Sequence, residues 1–341
     1  MSKLKLGVIF GGMSTEHDVS VVSGTSIYRN LDKNKYDLFP IYISEDGTWN
    51  KYLGGDRKYE VGDRVEDIEK IDNIFEYLKG LEAVLPILHG LYGEDGTMQG
   101  LFEILKIPYV GCKVLGSSVA MDKVYAKIVF EKAGLKQARH EYIRKHGEKY
   151  IYISHDFTEK TYEIGEICEL ISNKLAYPIF IKPSNSGSSV GVNKAKNVEE
   201  LKKHIEYAAT FDKKILLEEG ITGLEVECSV LGNENVVASC IGEVQPADEF
   251  YSYDAKYKNA ASKTIIPANL PEEISEEVRK MAIKAFKSID GKGYARVDFF
   301  VDKNMKDIYL NEINTIPGFT EISMYPKLWE KSRINIPRII R

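Results

Sequence analysis

Two strand-like runs between residues 294 and 314 restrict the fold of this chain more than any other feature. Both runs are rich in Val, Ile, Phe and Tyr, and the polar break between them is short enough for a hairpin turn. If the two ends of that break face each other, the register places Arg296 opposite Glu312. The same register places Asp298 opposite Leu310. The sequence therefore predicts an antiparallel hairpin with charged side chains near its open end.

The polar side chains of this hairpin should share one face, because strand side chains alternate between the two faces of a sheet. That face would carry Arg296, Asp298, Glu312 and Asn314. Carboxylate and amide oxygens suit Mg²⁺, which also takes waters and substrate phosphates. The alternative is an ordinary solvated face of an antiparallel sheet. An Asn inside a strand, and the backbone break at Pro317-Gly318 directly after it, favour a metal site.

Length and composition exclude several classes of protein. The chain has 341 residues, which is too long for one ordinary domain, and its 43% hydrophobic and 28% charged residues are typical of a globular protein. A net charge of −5 gives no reason to expect a nucleic-acid partner. The apolar runs are too short for a membrane span or a signal peptide. The four cysteines form no C-x-x-C pair, so we expect reduced thiols in a cytoplasmic protein.

The order of predicted elements indicates three domains. An apolar strand at Leu4–Phe10 ends at Gly11-Gly12 and precedes a helix at Val21–Leu31, which begins a doubly wound α/β unit. Residues 44–80 predict a loop with a short helix, and Val119–Ala133 predicts one continuous helix. The expected domains are an N-terminal α/β domain at 1–116, a central unit at 117–212 and a C-terminal unit with the metal face at 213–341.

A loop of small residues at 184–191 is suited to bind phosphate. It offers backbone N–H groups and hydroxyls with little steric cover, and it follows Lys182 at the end of a predicted strand. Lys123, on a predicted helix, is a second isolated lysine. A flexible surface loop and two solvated lysines are the alternative. Their combination with an oxygen-rich metal face favours a nucleotide site.

A strand end at residues 218–225 offers an edge for a nucleoside. The run Glu218-Glu219-Gly220-Ile221 could give an adenine its backbone hydrogen bonds, and Glu225 could hold ribose hydroxyls. Charged residues at the end of an ordinary strand are the alternative. We expect His17 and His89, which follow strands of the first domain, to be structural or solvated. No arrangement in the sequence predicts a nucleophilic Ser or Cys.

Seven motifs follow one another in an order that resembles the D-alanine–D-alanine ligases of the ATP-grasp superfamily, and the resemblance covers residues 4–330. The motifs are Gly11-Gly-x-Ser-x-Glu16, His89-Gly-x-x-Gly-Glu-Asp-Gly96, Met121-Asp-Lys123, Lys182-Pro-Ser-x-x-Gly-Ser-Ser-Val-Gly191, Tyr253-Asp-Ala-Lys-Tyr257, Arg296-x-Asp298 and Asn311-Glu-Ile-Asn-Thr-x-Pro-Gly318.

The resemblance implies an N-terminal doubly wound α/β domain followed by a two-domain ATP-grasp fold. It implies a cytoplasmic enzyme that uses ATP to join two D-alanines through D-alanyl phosphate, for peptidoglycan precursor synthesis. Two Mg²⁺ ions, with Mn²⁺ as a substitute, would assist. The oligomeric state is left open, with a homodimer as one alternative.

The resemblance also implies roles for residues at matching positions. The ligands of the two Mg²⁺ ions would be Asp298, Glu312 and Asn314. The phosphate contacts would be Lys123, Lys182, Ser189 and Lys256. The nucleoside contacts would be Glu218, the backbone of Glu219 and Ile221, and Glu225. The catalytic and substrate-positioning groups would be Glu16, Ser188, Tyr257, Arg296, the Gly318 N–H and Ser323.

Two further expectations concern mobility and specificity. The stretches 184–191 and 245–264 are suited to cover the site, and the segment after Trp329 departs from the final helix usual in the family. Met324 is apolar, and position 257 carries the Tyr of the family motif. Together these two residues predict D-alanine as both the first and the second substrate. The alternatives are a relative that uses D-serine or D-lactate as second substrate, and a nucleotide-binding relative without catalysis.

Overall fold

The computed structural model describes residues 2–245 and 263–333. Its amino-terminal domain is built on one five-stranded sheet. Its elements are β1 Leu4–Gly11, α1 His17–Asn30, β2 Tyr36–Ile43, β3 Trp49–Tyr52, β4 Ile68–Lys70, α2 Ile74–Lys79, β5 Ala83–Ile87 and α3 Thr97–Leu105. The strand order is β4-β3-β2-β1-β5, with β2, β1 and β5 parallel. The apolar run of β1 is buried on both faces, because α1 packs on one side and α2 with α3 on the other.

Two short strands lie in the segment predicted to be a loop with a short helix. The helix is present as α2, but β3 and β4 pair with each other and extend the edge of the sheet. Neither strand has an alternating apolar pattern. The inward positions of β3 are Asn50 and Tyr52, and Asn50 Nδ2 donates to Ser44 Oγ and Thr48 O, both at 3.0 Å. A buried polar residue therefore hid this strand from pattern analysis.

One predicted helix is two helices in the structure, α4 Val114–Met121 and α5 Lys123–Lys132. They meet at Asp122, whose backbone is extended and whose side chain accepts the N–H groups of Val124 and Tyr125. The prediction of one continuous helix was wrong because an Asp that caps a helix also interrupts the preceding one. Both helices contribute to the hydrophobic core of the C-terminal sheet.

The central sheet has six strands. Its elements are β6 His140–His146, β7 Lys149–Ile153, β8 Glu159–Tyr162, α6 Ile164–Lys174, β9 Ile179–Pro183, β10 Asn193–Ala195, α7 Val198–Ala208 and β11 Lys214–Glu219. The strand order is β10-β9-β11-β6-β7-β8, and α6 and α7 share one core with it. Because β11 is hydrogen-bonded inside this sheet, sheet membership changes after Glu219 and not at the expected boundary of 212/213.

The C-terminal sheet is antiparallel throughout its five described strands. Its elements are β12 Gly223–Leu231, β13 Val237–Gln245, β14 Lys263–Ile265, α8 Glu272–Ser288, β15 Tyr294–Asp302, β16 Ile308–Asn314 and α9 Met324–Lys331. The strand order is β14-β13-β12-β15-β16. Helix α8 packs with α5 on one face, and α9 contacts β12 and β13. Across residues 2–245 and 263–333, no helix has the length and apolar character needed to cross a membrane.

The predicted hairpin is present as β15 and β16, but its predicted register was wrong. Arg296 pairs with Asn314, and Asp298 pairs directly with Glu312. A β-bulge between Asp298 and Phe299 shifts the register by one residue between the pairs near the turn and the pairs at the open end of the hairpin. The predicted pairs are therefore two residues off. The bulge accounts for one residue, and a turn closed between Asp302 and Asp307, one residue longer than predicted, accounts for the other. The bulge brings the two carboxylates into direct opposition.

Candidate active site

Most of the predicted site residues that the structure describes line one cleft between the three sheets, whereas Asp298 and Ser323 are not among its wall residues. The inner part of the cleft has a volume of about 140 Å³ and the outer part about 480 Å³. The inner wall includes Glu16, Lys123, Lys182, Ser188, Glu218, Arg296, Glu312, Asn314, Gly318 and Met324. The outer wall includes Lys123, Lys182, Ser188, Ser189, Glu218, Glu219, Ile221, Glu225 and Glu312. The two parts share several wall residues and therefore adjoin each other.

A guanidinium and three carboxylates form the floor of the inner part. Arg296 Nε donates to Asp298 Oδ1 at 2.8 Å and Nη2 donates to Oδ2 at 2.7 Å. Nε of Arg296 also lies 3.0 Å from Oε2 of Glu227 on β12, and Glu312 is opposite Asp298. Burial alone would lower the pKa of Arg296, but the charges of Asp298 and Glu227 outweigh burial and raise it well above its ordinary value. The guanidinium is therefore a permanent cation in this wall.

The oxygen donors of this floor fit a hard divalent cation. Asp298 and Glu312 supply carboxylates on neighbouring strands, and like charges placed directly opposite each other favour a cation between them. Asn314 supplies an amide oxygen, which accepts the N–H of Ile316 at 3.1 Å. Both oxygens of Asp298 are held by Arg296. Because each carboxylate oxygen has two lone-pair sites, Asp298 can accept these hydrogen bonds and still offer a site to a cation.

Another cluster of ligand-type side chains lies at the end of β1. Among residues 2–245 and 263–333, His17, Asp18 and Glu45 are the one group of three His, Cys, Asp or Glu whose ligand atoms all lie within 4.8 Å. The ring nitrogens of His17 are already engaged, with Gly12 O at 2.6 Å and Tyr42 Oη at 3.1 Å. A buried imidazole with a hydrogen bond at each ring nitrogen indicates a structural residue, and we assign no metal there.

Two of the three predicted phosphate lysines, Lys123 and Lys182, lie next to the 184–191 loop. Lys123 begins α5, its Nζ donates to Ser186 O at 2.5 Å, and its backbone N–H donates to Ser184 O at 3.0 Å. Lys182 is the penultimate residue of β9 and donates to Asn311 Oδ1 at 3.3 Å. The loop turns sharply between them, since Ser188 and Ser189 both have left-handed backbone conformations, with φ of 47° and 60°.

Two buried lysines hold the carboxylate of Glu218. Lys127 Nζ lies 2.5 Å from Oε1, and Lys182 Nζ lies 2.7 Å from Oε2. Burial alone would raise the pKa of Glu218, but Lys127 and Lys182 outweigh burial and lower the pKa to about 2. Glu218 is therefore a buried anion at the boundary between the inner and outer parts of the cleft.

The remaining residues of the predicted nucleoside edge lie along the outer wall. Glu219 turns away from the cleft, because its N–H donates to Arg139 O at 2.9 Å and its Oε1 accepts from Ala176 N at 2.8 Å. Ile221 and Glu225 are half-buried, and Glu225 lies between Val244 and Phe300 in the C-terminal sheet.

The carboxylate of Glu16 connects the first domain to the small-residue loop. Its Oε1 accepts a hydrogen bond from Ser188 Oγ. A Cβ atom built on Gly187 would overlap Oε2 of Glu16 and lie 2.9 Å from its Cδ, so the loop backbone touches the carboxylate. Gly90 closes the other side, with its own Cβ position 2.7 Å from the same oxygen. A side chain at either position would therefore displace the Glu16 carboxylate, and at Gly90 the left-handed φ of 73° would add backbone strain.

A buried network beneath Glu16 joins the first domain to the end of the hairpin. Glu94 accepts from Gly90 N at 2.8 Å and from Ile316 N at 2.9 Å. His89 donates through Nδ1 to Ile316 O at 2.8 Å, so its Nε2 accepts from Ser23 Oγ at 3.2 Å. Burial lowers the pKa of His89, and burial with the charge of Glu16 raises the pKa of Glu94 to about 8.

The residues predicted to meet the second amino acid lie beside one another at the start of α9. Gly318 is half-buried, and its Cβ position is 2.8 Å from Ser323 Oγ. Ser323 Oγ accepts from Thr320 N at 3.0 Å. Met324 is buried and packs with Val244 and Leu328. This corner of the inner cleft is therefore apolar on the Met324 side.

Two predicted residues, Lys256 and Tyr257, lie outside the described residues. The same holds for most of the predicted covering stretch 245–264. The N-terminal end of that stretch is the end of β13, and its C-terminal end is the start of β14. These two strands pair next to the outer part of the cleft.

Comparison with family models covers nearly the whole chain. A model described as "D-ala D-ala ligase N-terminus" matches residues 5–112, and one described as "D-ala D-ala ligase C-terminus" matches residues 129–341. The D-alanine–D-alanine ligase of Clostridium acetobutylicum is 50% identical over 341 residues, which is 99% of this chain and 96% of the relative. That of Acetivibrio thermocellus is 48% identical over 365 residues, covering 99% and 94%.

The chain belongs to the D-alanine–D-alanine ligase family.

Solved structures of this ligase family share the fold. The VanG D-Ala:D-Ser ligase from Enterococcus faecalis has a TM-score of 0.84 and 32% identity, covering 99% of this chain and 98% of that one. The D-alanine–D-alanine ligase from Coxiella burnetii has a TM-score of 0.80 and 30% identity, covering 100% and 92%. These matches confirm the predicted fold class, an N-terminal α/β domain followed by the ATP-grasp fold.

Sequence analysis assigned no role in the ligase cleft to four charged or titratable residues: Lys127, Glu227, Glu94 and His89. Lys127 lies four residues after Lys123 and thus on the same face of α5, which is a usable signal. Glu227 lies two residues after Glu225, on the same face of β12. Glu94 and His89 lie in a motif that was recognised, but their hydrogen bonds to Ile316 span more than 220 residues of sequence.

Proposed function

We propose that this member of the D-alanine–D-alanine ligase family joins two D-alanines to D-alanyl-D-alanine through D-alanyl phosphate. Membership of the family gives the enzyme class and the substrates, D-alanine and ATP. The observation that supports the residue assignments best is the convergence of the Glu16 carboxylate, the Lys123 and Lys182 ammoniums and the Arg296 guanidinium on one inner cleft.

The proposed chemistry activates the first D-alanine before the amide forms. A free carboxylate resists attack by an amine, and transfer of the γ-phosphoryl group of ATP to one of its oxygens gives D-alanyl phosphate and ADP. The neutral amine of the second D-alanine then attacks the acyl carbon. The acyl–oxygen bond breaks, phosphate leaves with its electron pair, and the new amide nitrogen loses a proton.

The first D-alanine is expected to bind with its ammonium on Glu16. The hydrogen bond from Ser188 and the contacts of Gly187 and Gly90 fix that carboxylate at the entrance of the inner cleft. Tyr257 is the expected third member of this group. The loop at 184–191 would close over the acyl phosphate, because water would hydrolyse it.

The nucleotide is expected along the outer part of the cleft. Its adenine would meet Glu218 and the backbone of Glu219 and Ile221, and its ribose would meet Glu225. The triphosphate would meet Lys123, Lys182, Ser189 and Lys256. The cluster of ammonium groups supports this orientation, since phosphate oxygens carry most of the ligand's charge.

The metal face would hold Mg²⁺, with Mn²⁺ as a substitute. Asp298, Glu312 and Asn314 are the residues that would bind two ions, and their donor chemistry fits. When bound, such ions neutralise charge on the phosphoryl group being transferred. The protein's own contribution is to hold these oxygens on adjacent strands. Without ligands, the guanidinium of Arg296 compensates part of their negative charge.

The oxyanion of the tetrahedral intermediate is expected to meet Arg296 and the N–H of Gly318. Donors fixed before the reaction cost no reorganisation as negative charge develops, and one such donor stabilises the transition state by roughly 3 kcal/mol. Ser323 and Met324 would contact the second D-alanine. We place the reaction in the cytoplasm, where ATP is available and where the four free thiols of the described residues would stay reduced.

A coupled assay tests the proposal. Purified protein is given ATP, Mg²⁺ and a panel of D-amino acids, phosphate release is followed, and products are separated by mass spectrometry. We expect release of phosphate in step with D-alanyl-D-alanine, and D-alanyl hydroxamate when hydroxylamine replaces the second substrate. Phosphate release without a dipeptide, or dipeptide formation with no trapped acyl group, would contradict the mechanism.

A further inference from the structure

Lys127 is the one buried lysine of the cleft that the proposed function leaves without a role, among residues 2–245 and 263–333. It lies on α5 with 2% of its surface exposed, and its ammonium is 2.5 Å from Glu218 Oε1. Glu218 is 3% exposed. Burying an ammonium carries a large desolvation cost, which is offset only where its charge is compensated. The pairing of Lys127 with Glu218 therefore needs a functional or structural reason.

The two lysines on Glu218 differ in their access to the cleft. Lys182 retains 15% of its side-chain exposure, contacts Asn311 and lines both the inner and the outer part. Lys127 has 3% side-chain exposure and lines the inner part, where it lies behind Glu218. Lys182 can therefore turn toward a ligand in the outer part, whereas Lys127 is held in the wall.

The balance of charge shows why a second lysine matters. If Lys182 were the sole counter-ion of Glu218, turning its ammonium to a phosphate would leave a buried carboxylate uncompensated. Removing one partner from a buried ion pair is strongly unfavourable. With Lys127 on the other oxygen, Glu218 keeps a counter-ion, and one positive charge is available for the ligand.

We propose that Lys127 is a positioning residue that keeps Glu218 neutralised and in place while Lys182 turns to the phosphates of the nucleotide. This inference rests on the proposed function, in which Lys182 contacts phosphate and Glu218 contacts adenine. Lys127 acts through Glu218 and touches neither the phosphates nor the reacting atoms. Without Lys127, Lys182 would be the remaining counter-ion and would stay on Glu218, so binding of the phosphates should weaken far more than binding of the nucleoside.

Equilibrium binding of a non-hydrolysable ATP analogue and of adenosine tests this role. For Lys127→Met we expect at least tenfold weaker binding of the analogue and less than threefold weaker binding of adenosine. Lys127→Arg keeps the charge and should bind the analogue within about threefold of the wild type. Lys132→Met, at the exposed end of the same helix, is the matched control and should match the wild type for both ligands.

The double variant with Glu218→Gln separates charge compensation from packing. Glu218→Gln removes the buried anion, so adding Lys127→Met should weaken analogue binding no further. An equal loss for analogue and adenosine, or an additive loss in the double variant, would overturn the proposal. If Lys127→Met does not fold, the double variant decides: folding with the affinity of Glu218→Gln supports the proposal, and failure to fold or a further loss rejects it.

The outcome is distinguishable from failure of the proposed function. A wild-type protein that forms the dipeptide and binds the analogue, but whose Lys127 variants weaken both ligands equally, would reject the role of Lys127 alone. A wild-type protein that neither binds the analogue nor forms the dipeptide would reject the proposed function itself.

Discussion

Arg296 holds both carboxylate oxygens of Asp298, with Nε at 2.8 Å from Oδ1 and Nη2 at 2.7 Å from Oδ2. The pair lies on one strand, two residues apart, and Asp298 also faces Glu312 across the hairpin. An internal cation thus occupies the carboxylate that is expected to bind Mg²⁺. Glu227, 3.0 Å from Nε of Arg296, is a second anionic partner of the same guanidinium.

Glu312→Gln should remove metal binding while leaving the fold intact, because the side chain is half-buried and its charge is expected to serve the cation. We expect Mn²⁺ to bind at least tenfold more weakly in the presence of ADP, measured by electron paramagnetic resonance. The turnover number should fall by about 100-fold or more. Glu330→Gln, on the exposed side of α9, is the control. Unchanged Mn²⁺ affinity in Glu312→Gln would refute the assignment.

Gly187→Ala should disconnect the loop from Glu16, since the added methyl group would overlap the carboxylate. The backbone of Gly187 is not in a left-handed conformation, so the effect would come from the clash alone. We expect the KM for D-alanine to rise about tenfold or more with little change in the melting temperature. Gly165→Ala, where a Cβ meets nothing within 4 Å, is the control. Wild-type kinetics in Gly187→Ala would show that this contact is dispensable.

The raised pKa of Glu94 predicts a pH dependence of stability. Its pKa moves from about 4.5 to about 8 because of burial and the charge of Glu16, so the folded state binds more protons than the unfolded state between these values. The free energy of unfolding therefore falls as pH rises through this window. Glu94→Gln should remove that slope, which thermal unfolding midpoints at pH 5, 6, 7 and 8 would measure. Parallel curves for the two proteins would contradict the prediction.

His89 contributes a slope of opposite sign at lower pH. Burial lowers its pKa, so the unfolded state takes up a proton below about 6.5 that the folded state refuses, and stability falls as pH decreases there. The wild-type protein and the Glu94→Gln variant both contain His89. The difference between their curves therefore isolates Glu94.

The apolar wall at Met324 predicts D-alanine as the second substrate. Met324 is buried against Val244 and Leu328, so a serine hydroxyl placed there would have no partner in this wall. An unpaired buried hydroxyl costs on the order of 1–3 kcal/mol, which corresponds to a roughly ten- to hundredfold preference. The assay supplies equal D-alanine, D-serine and D-lactate near neutral pH and weighs the products by mass. We expect D-alanyl-D-alanine to dominate and D-lactate to be essentially unused.

Met324→Gln should narrow that preference, because its amide gives the hydroxyl a partner. Leu328→Met, a conservative change in the same apolar cluster, is the control and should leave the product ratio unchanged. A majority of D-alanyl-D-serine from the wild-type protein would refute the specificity assignment.

The sequence alone determined the class of fold and the chemical character of the cleft. Alternating apolar residues and Gly or Pro breaks are local signals, so they located β1, α1 and the β15–β16 hairpin and placed Asp298 and Glu312 on one face. The order of motifs then identified the ligase family, because each motif is itself a short local pattern.

Only the tertiary structure decided how those groups meet. The bulge after Asp298 set the register that opposes it to Glu312, and Asp122 divided a predicted helix into two. The pairing of Lys127 with Glu218 joins α5 to β11 across 91 residues of sequence. Such contacts depend on which surfaces are buried together, and burial is a property of the packed chain that local patterns do not encode.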